Sequence, residues 1–386
     1  MKRLINYFLA LAMAISLCGC AGNVSHELET SPTSTPAATA GQTKHSGFEI
    51  HYIDVGQGDS ALVLCDDEAM LIDGGKSKAS DVIYTYLKKQ NVERLDYIVC
   101  SHADEDHIGG LSAPLSTIDV GGILAPKTGA DTNSYRNIVR KAEERGIEID
   151  NPKPGDEMKL GSSTVEFFGP ITESESDRNN GSIVMKIVYG DTSFLFTGDA
   201  EREEEQEILN AGYDLSADVL KVGHHGSKNS TTYPFLREIM PKYAVISVGK
   251  GNSYGHPTED TLSRLRDADV TVYRTDIQGD IIAKSDGKNV TITTSKNENA
   301  QTNPTEQAKR EQHSAEEKSN TPKPSAGSAA VGTAEETDGA YIGNKNTKKF
   351  HLPNCGSLPI KENRVYFDTR EAAEESGYNP CGRCKP

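Results

Sequence analysis

The chain has 386 residues, 57 of them acidic and 41 basic, for a formal net charge of −16 at pH 7. That length exceeds one small core and suits about two domains plus linkers. The acidic excess weighs against a passive nucleic-acid binder, whose affinity would rest on Lys and Arg neutralising phosphate. Between Phe48 and Ser295 the balance is 42 acidic to 25 basic residues, which bound divalent cations would reverse only locally.

At the N-terminus, Lys2 and Arg3 precede the apolar run "LINYFLALAMAISL", and "LCGC" (Leu17–Cys20) follows. Fourteen residues are too few for a stable membrane span and suit a signal-peptide core. The small Gly19 before Cys20 resembles the bacterial lipoprotein signal. That resemblance implies cleavage before Cys20, a lipid on its thiol, and anchoring to the extracytoplasmic face of the cell membrane. An ordinary secretory signal or an uncleaved anchor is the alternative. Residues 21–47 are rich in Ser, Thr, Pro and Ala and read as a flexible tether. Residues 296–340 repeat that composition and read as a disordered linker, leaving a central domain over 48–295 and a tail over 341–386.

The central domain alternates strand and helix signals. "FEIHYIDV", "SALVLCD" and "AMLIDGG" predict strands, and "KASDVIYTYLKKQN" predicts a helix with Val82, Ile83, Tyr86 and Leu87 on one side. "LDYIVCSH" is a buried strand that delivers His102 at its C-terminal edge, and "YRNIVRKAEERG" is a helix closed by Gly146. "STVEFFGP", "SIVMKIVYG", "TSFLFTGD", "DVLKVGHHG" and "YAVISVG" predict further strands. "HPTEDTLSRLRDAD" begins a helix with Pro257 and Thr258 near its cap, and "VTVYRTD", "GDIIAKSDG" and "KNVTITTS" return to strands. The pattern predicts an α/β sandwich, two sheets with helices outside. Cys65 and Cys100 sit in apolar strands and read as buried small hydrophobes, although a disulfide between them is open.

The stretch "CSHADEDHIGG" crowds His102, Asp104, Asp106 and His107 into a loop directly after a strand. Imidazole and carboxylate together suit zinc, manganese or iron, and a cation relieves the repulsion between the carboxylates. Three other strand ends carry matching groups: "TGDA" with Asp199, "KVGHHGS" with His224 and His225, and "IDVGQGD" with Asp54 and Asp59.

Here the chain resembles the metallo-β-lactamase-fold hydrolases, and among them the extracellular nuclease-like domain of ComEC-type competence proteins. The resemblance rests on "IDVGQGDS", "LIDGG", "SHADEDHIGGL", "NNGSIV", "LFTGDA", "LKVGHHGS" and "YGHP", in the family's order. It implies an αββα four-layer sandwich with a two-metal site at one edge. His102 and Asp104 would face one metal, Asp106 and His107 the other, with Asp199 as the bridging carboxylate. One of His224 and His225 would complete the ligand set of the second metal, with a slight preference for His225. Asp54 resembles the aspartate that orients a ligand histidine. His256 would hold substrate or protonate the leaving oxygen; with Asp106 and Asp54 it makes up the candidate catalytic set. Ser227 is a candidate phosphate contact, while Thr275 and Asp276 mark the rim.

One departure matters. The wider superfamily supplies another histidine before the bridging aspartate, yet residues 108–223 contain none, and Asp104 replaces another common histidine. The first metal is left with His102, Asp104, Asp199 and, as a candidate, Asn179 or Asn180. The "NN" pair equally suits a plain turn. Oxygen ligands shift preference towards manganese or magnesium, so the expectation is two divalent metals, zinc or manganese, one firm and one exchangeable.

In the tail, His351 and Cys355 are four apart, and Cys381 and Cys384 form a C-x-x-C. Three thiolates and an imidazole in so short a segment predict a structural zinc. The run ending "REAAEESGYNPCGRCKP" resembles the zinc-binding domain of Ada methylation-repair proteins. His351 stands where that family has its methyl-accepting cysteine, so the resemblance carries the zinc site and not the transfer activity.

The expectation is a surface-tethered metallo-hydrolase, a phosphodiesterase or nuclease in which two cations about 3.5–4 Å apart bridge a hydroxide that attacks phosphorus. Its partners would be the membrane, through the lipid, and a phosphodiester polymer such as DNA. Alternatives are a phosphocholine esterase or other wall-polymer phosphodiesterase, and a non-catalytic nucleic-acid-binding surface protein.

Overall fold

In the computed structural model, strand β2 (Ala61–Cys65) is buried along its whole length and apolar on both faces. Ala61, Val63 and Cys65 meet one layer of the protein, and Leu62 and Leu64 meet another. A strand apolar on both sides must be covered on both sides. The structure describes residues 47–127, 132–173, 177–305 and 340–386, the last without 346, 354, 356, 357, 360, 382 and 383. The signal segment, Cys20, the tether up to residue 46, and residues 306–339 of the linker lie outside the described residues.

The other strands are β1 (Phe48–Tyr52), β3 (Glu68–Ile72), β4 (Arg94–Val99), β5 (Asp119–Leu124), β6 (Ile149–Asp150), β7 (Glu157–Leu160), β8 (Ser163–Gly169), β9 (Val184–Tyr189), β10 (Thr192–Phe196), β11 (Val219–Lys221), β12 (Tyr243–Ile246), β13 (Thr271–Arg274), β14 (Ile281–Ser285) and β15 (Val290–Thr294). Among the described residues they form an eight-stranded sheet, β15-β14-β1-β2-β3-β4-β5-β6, and a seven-stranded sheet, β13-β12-β11-β10-β9-β8-β7.

The two sheets face each other across Phe48, Ile50, Val63, Phe167, Met185, Phe194 and Val245. Helices α1 (Ser80–Lys89), α2 (Glu105–Ile108), α3 (Pro114–Thr117) and α4 (Asn133–Arg145) follow in the first half. Ile83 and Leu87 of α1 and Ile138 and Ala142 of α4 cover the outer face of the first sheet against Leu62, Leu71 and Ile98. Helices α5 (Arg202–Ala211), α6 (Tyr233–Ile239) and α7 (Glu259–Asp267) cover the second sheet through Ile208, Leu236 and Leu265. A short helix, α8 (Thr275–Gln278), follows β13. The layers are therefore αββα, as the sequence predicts.

Local signals explain the helix ends. Thr132 caps α4 by accepting from Tyr135 N, and Gly146 at φ 65° closes it. Thr258 caps α7 in the same way, accepting from Thr261 N. Cys65 lies in the core between the sheets and Cys100 on the outer, helix-covered side, and both are free thiols.

The linker begins later than composition predicts. Arg266 donates to Asn303 Oδ1 and Arg274 to Thr302 O, while Asn303 donates to Leu262 O, and Thr302 and Thr305 are buried. Two guanidinium groups hold this polar strand of chain against α7 and β13, so residues 296–305 belong with the domain.

The tail forms its own four-stranded sheet, β18-β16-β17-β19, from β16 (Tyr341–Asn344), β17 (Lys349–His351), β18 (Arg364–Phe367) and β19 (Asn379–Pro380). Helix α9 (Arg370–Glu375) packs on it through Ala373, against Phe350 and Tyr378. Asn344 hydrogen-bonds Asp267 at the end of α7, and Lys349 Nζ lies 5.0 Å from the centre of the Tyr233 ring. No helix among the described residues is long and apolar enough to cross a membrane.

Candidate metal centre

The motifs converge at the C-terminal ends of strands from both sheets. Three loops interlock there through their backbones: Asp59 N donates to Asp106 O, Gly74 N to His107 O, and Gly110 N to Gly75 O. Glycine makes the approach possible. A Cβ at Gly58, whose φ is +142°, would stand 2.3 Å from Asp106 O, and one at Gly110 would stand 2.0 Å from Gly74 O.

Asp199, at the end of β10, is the hub. Its Oδ1 lies 3.1 Å from His107 Nε2, and its Oδ2 lies 3.7 Å from His224 Nε2, 3.7 Å from His225 Nε2 and 3.9 Å from His102 Nε2. Asp104 Oδ2 is 4.0 Å from His102 Nε2, and Asp106 Oδ2 is 3.7 Å from His225 Nε2. His102, Asp104, Asp106, His107, Asp199, His224 and His225 are thus brought together.

The far nitrogens of the buried histidines are tied down. His107 Nδ1 lies 2.8 Å from Asp73 Oδ2, His102 Nδ1 lies 3.1 Å from Ser101 Oγ, and His225 Nδ1 lies 3.0 Å from Ser247 O. Asp73 also accepts from Ser101 N and Ser101 Oγ. Each imidazole therefore turns Nε2 towards Asp199. His102 Nε2, His107 Nε2, His225 Nε2 and Asp199 Oδ1 are buried without a hydrogen-bond partner. Buried polar atoms without partners are rare, and four aimed at one point form a donor set that fits a divalent cation.

Electrostatics point the same way. Burial opposes ionisation of Asp199, but His107 and His225 outweigh it and hold its carboxyl well below the usual range. Burial likewise disfavours charge on His107, yet Asp199 and Asp73 raise its pKa well above 6.5. In His102, burial and the neighbouring His107 push the pKa down to about 4, leaving the neutral ring that ligates metal.

Asp59 lies within 4.8 Å of the donor atoms of His107, Asp199 and His225. Its Oδ2 pairs with the buried Lys221 Nζ at 2.6 Å, while Oδ1, 3.1 Å from His225 Nδ1, is buried without a hydrogen-bond partner and remains available to a cation. Ser247 O orients the His225 ring, and Asp59 lies beside it as a neighbouring negative charge.

Several candidate roles are corrected. Asp54 orients no ligand histidine; its carboxylate accepts from Gly56 N and Lys296 Nζ, and the carboxylate that orients one is Asp73, on His107. Asn180 is not a ligand either, because its Oδ1 accepts from Glu201 N and Glu204 N at the start of α5. Asn179 donates to Glu201, whose Oε1 lies 3.0 Å from His224 Nδ1. Ser227 is buried, its Oγ accepting from Asn229 N in a turn, and Asp276 is engaged by the Arg274 guanidinium. Thr275 closes on Val248. His256 does border the centre, its ring 5.6 Å from that of His224. Asp73, Lys221 and Arg178, which pairs with Asp104, are the site residues that the sequence reading leaves out.

In the tail, the donor atoms of His351, Cys355, Cys381 and Cys384 lie within 4.8 Å of one another, and both His351 ring nitrogens are buried without partners. Burial pushes the Cys384 thiol up to about 12, a cost that zinc removes by binding thiolate.

Fold and site define a metal-dependent hydrolase with an appended metal-binding module. Residues 53–250 match the family model of the metallo-beta-lactamase superfamily, and the chain belongs to that superfamily. Residues 329–386 match the metal binding domain of Ada. Among curated relatives, the chain is 34% identical over 251 residues to ComE operon protein 3 of Bacillus subtilis, covering 60% of this chain and 32% of that protein. It is 33% identical over 261 residues to competence protein ComA of Neisseria gonorrhoeae, covering 67% of this chain and 34% of that one. The chain thus spans about a third of the length of these relatives. The solved metallo-beta-lactamase fold protein YhfI from Bacillus subtilis aligns with a TM-score of 0.43 at 13% identity, over 64% of this chain and 100% of that one.

Proposed function

We propose that this hydrolase is a phosphodiesterase that cleaves nucleic acid, working with two divalent cations, zinc or manganese, one held more weakly. The observation that carries the reading is the Asp199 carboxylate facing four imidazole nitrogens, with Asp104 and Asp106 on opposite flanks. Two ligand sets that share a carboxylate suit in-line displacement at phosphorus. Bound cations would supply Lewis acidity and a nucleophile from water near neutral pH. His102 and Asp104 would hold one; Asp106, His107 and His225 the other.

The protein's own contribution is orientation. Asp73 and the Ser247 carbonyl fix the rings of His107 and His225, and Arg178 fixes one oxygen of Asp104 so that the other faces His102. Burial pushes His256 down to about 4, so at neutral pH it offers a hydrogen bond to a phosphate oxygen and not a proton. The acidic surface repels polymer elsewhere and leaves the cations as its point of attachment. The N-terminal signal supports a lipid anchor at Cys20 on the extracytoplasmic face, and the zinc module, with 8 basic and 5 acidic residues over 341–386, would help hold polymer.

EDTA is expected to abolish hydrolysis of single- and double-stranded DNA, and manganese or zinc to restore it. Cleavage by a His102→Ala, Asp106→Ala double variant would overturn the reading. A panel of plasmid and p-nitrophenyl phosphocholine separates nuclease from phosphocholine esterase.

A further inference from the structure

Tyr254 is an exposed large side chain beside the metal centre, with 59% of its surface open to solvent. A rigid turn holds it there. Asn252 Oδ1 accepts from Tyr254 N and His256 N, while Asn252 Nδ2 donates to His256 O and Gly249 O. Gly249 N in turn donates to Gln57 Oε1, pinning the turn to the loop that carries Asp59. A turn pinned this way holds the ring in water, where it adds no apolar burial to the fold.

The ring continues a line out of the centre. His224, 3.7 Å from Asp199, lies 5.6 Å from the His256 ring, and His256 lies 5.8 Å from Tyr254 at an interplanar angle of 27°. On the opposite lip, Lys76 Nζ stands 5.9 Å from the Tyr254 ring centre. Lys76 follows directly on the loop of Asp73, so both lips are fixed to loops that line the centre.

An aromatic face beside a cation suits a nucleobase and its phosphate, because bases stack on aromatic rings and lysine pairs with phosphate. It suits a quaternary ammonium poorly. Choline would bring a second cation against the Lys76 ammonium at that ring, whereas a phosphate draws the flexible lysine aside and leaves the ring face to the base. Resting on the phosphodiesterase reading, we infer that Tyr254 and Lys76 form a nucleotide subsite: Tyr254 stacks the base that flanks the scissile phosphodiester, and Lys76 pairs with the neighbouring phosphate.

The chain contains no tryptophan, so Tyr254→Trp places a single fluorophore in the subsite. In the metal-loaded full chain, a non-hydrolysable phosphorothioate oligothymidylate is expected to quench that fluorescence, and a base-free oligomer of the same length to leave it unchanged. Tyr254→Ala should lower kcat/KM on oligothymidylate by about 10-fold and leave cleavage of the base-free oligomer unaltered, with Tyr254→Trp retaining activity. Lys76→Gln should reduce the slope of log(kcat/KM) against log[salt] by roughly 0.7. Equal effects of Tyr254→Ala on both oligomers, or quenching by both, would overturn the subsite. Wild-type cleavage of the base-free oligomer reads the underlying activity separately. If that persists, only the subsite falls; if wild type cleaves neither oligomer, both readings fall.

Discussion

Lys221 and Asp59 form a fully buried ion pair under His225, with Lys221 Nζ 2.6 Å from Asp59 Oδ2 and Asp59 Oδ1 3.1 Å from His225 Nδ1. Lys221 also donates to Val222 O. The lysine is the last residue of β11, four positions before His225, so one segment supplies both a ligand and the counter-charge of Asp59.

Breaking such a pair from one side strands a buried charge. Lys221→Met is expected to lower the unfolding free energy of the metal-free protein by about 3–5 kcal/mol. Adding Asp59→Asn should recover part of that loss, because it removes the stranded charge. Urea titrations of both single variants and the double variant measure the coupling; strictly additive losses would contradict the pairing.

Asp73 accepts from Ser101 N, Ser101 Oγ and His107. Asp73→Asn should weaken metal binding by about 10–100-fold, the usual cost of losing a partner behind a ligand histidine. Asp54→Asn should leave metal affinity unchanged. Calorimetric titration of both proteins with manganese tests the reassignment.

How much of this the sequence reveals differs from residue to residue. The crowding of His102, Asp104, Asp106 and His107 is legible because like charges gather within one loop, and the buried faces of β2 and β4 are legible from their apolar runs. Asp73 and Lys221 are not, because their roles rest on contacts between loops far apart in sequence. Asp54, Asp59 and Asp73 all follow strands, and only packing decides which of them meets a histidine. Helix α5 escapes the periodicity reading because "REEEQEILNA" looks like a solvated acidic run, yet Glu204, Glu205 and Ile208 are buried. Glu205 accepts from Thr231 N, Thr232 N and Thr232 Oγ1, an arrangement no local pattern announces.

Metal binding is predicted to release protons. In the metal-free protein His107 is held above 6.5 by Asp199 and Asp73 against the effect of burial, so a cation must displace its proton. Affinity should therefore rise with pH above 6.5. The stability of the metal-free fold runs oppositely. The His107 contribution is complete below the unfolded value near 6.5 and is lost as pH rises through the raised folded value. The Asp199 contribution is present above 3.8 and fades only as pH falls through its depressed folded value. Calorimetry at pH 7 in buffers of differing ionisation heat should report about one proton released; none would contradict the assignment.

Among the described residues of the C-terminal module, the core is a small cluster of Phe350, Ala373 and Tyr378 with Tyr341, Val365 and Phe367 packed against it, too little to fold without a staple. Cys384→Ser should remove one zinc per chain and expose residues 341–386 to limited proteolysis, with the central domain's metal content unchanged. Intact protease resistance in the zinc-free variant would contradict a structural zinc.

Elemental analysis of the purified, folded chain tests the central claim most directly. Wild type should retain transition-metal ions in the central domain as well as the zinc of the module, and Asp199→Asn should lose the former while keeping the latter. If wild type and Asp199→Asn both carry the module's zinc and nothing more, Asp199 is not the hub of a metal centre.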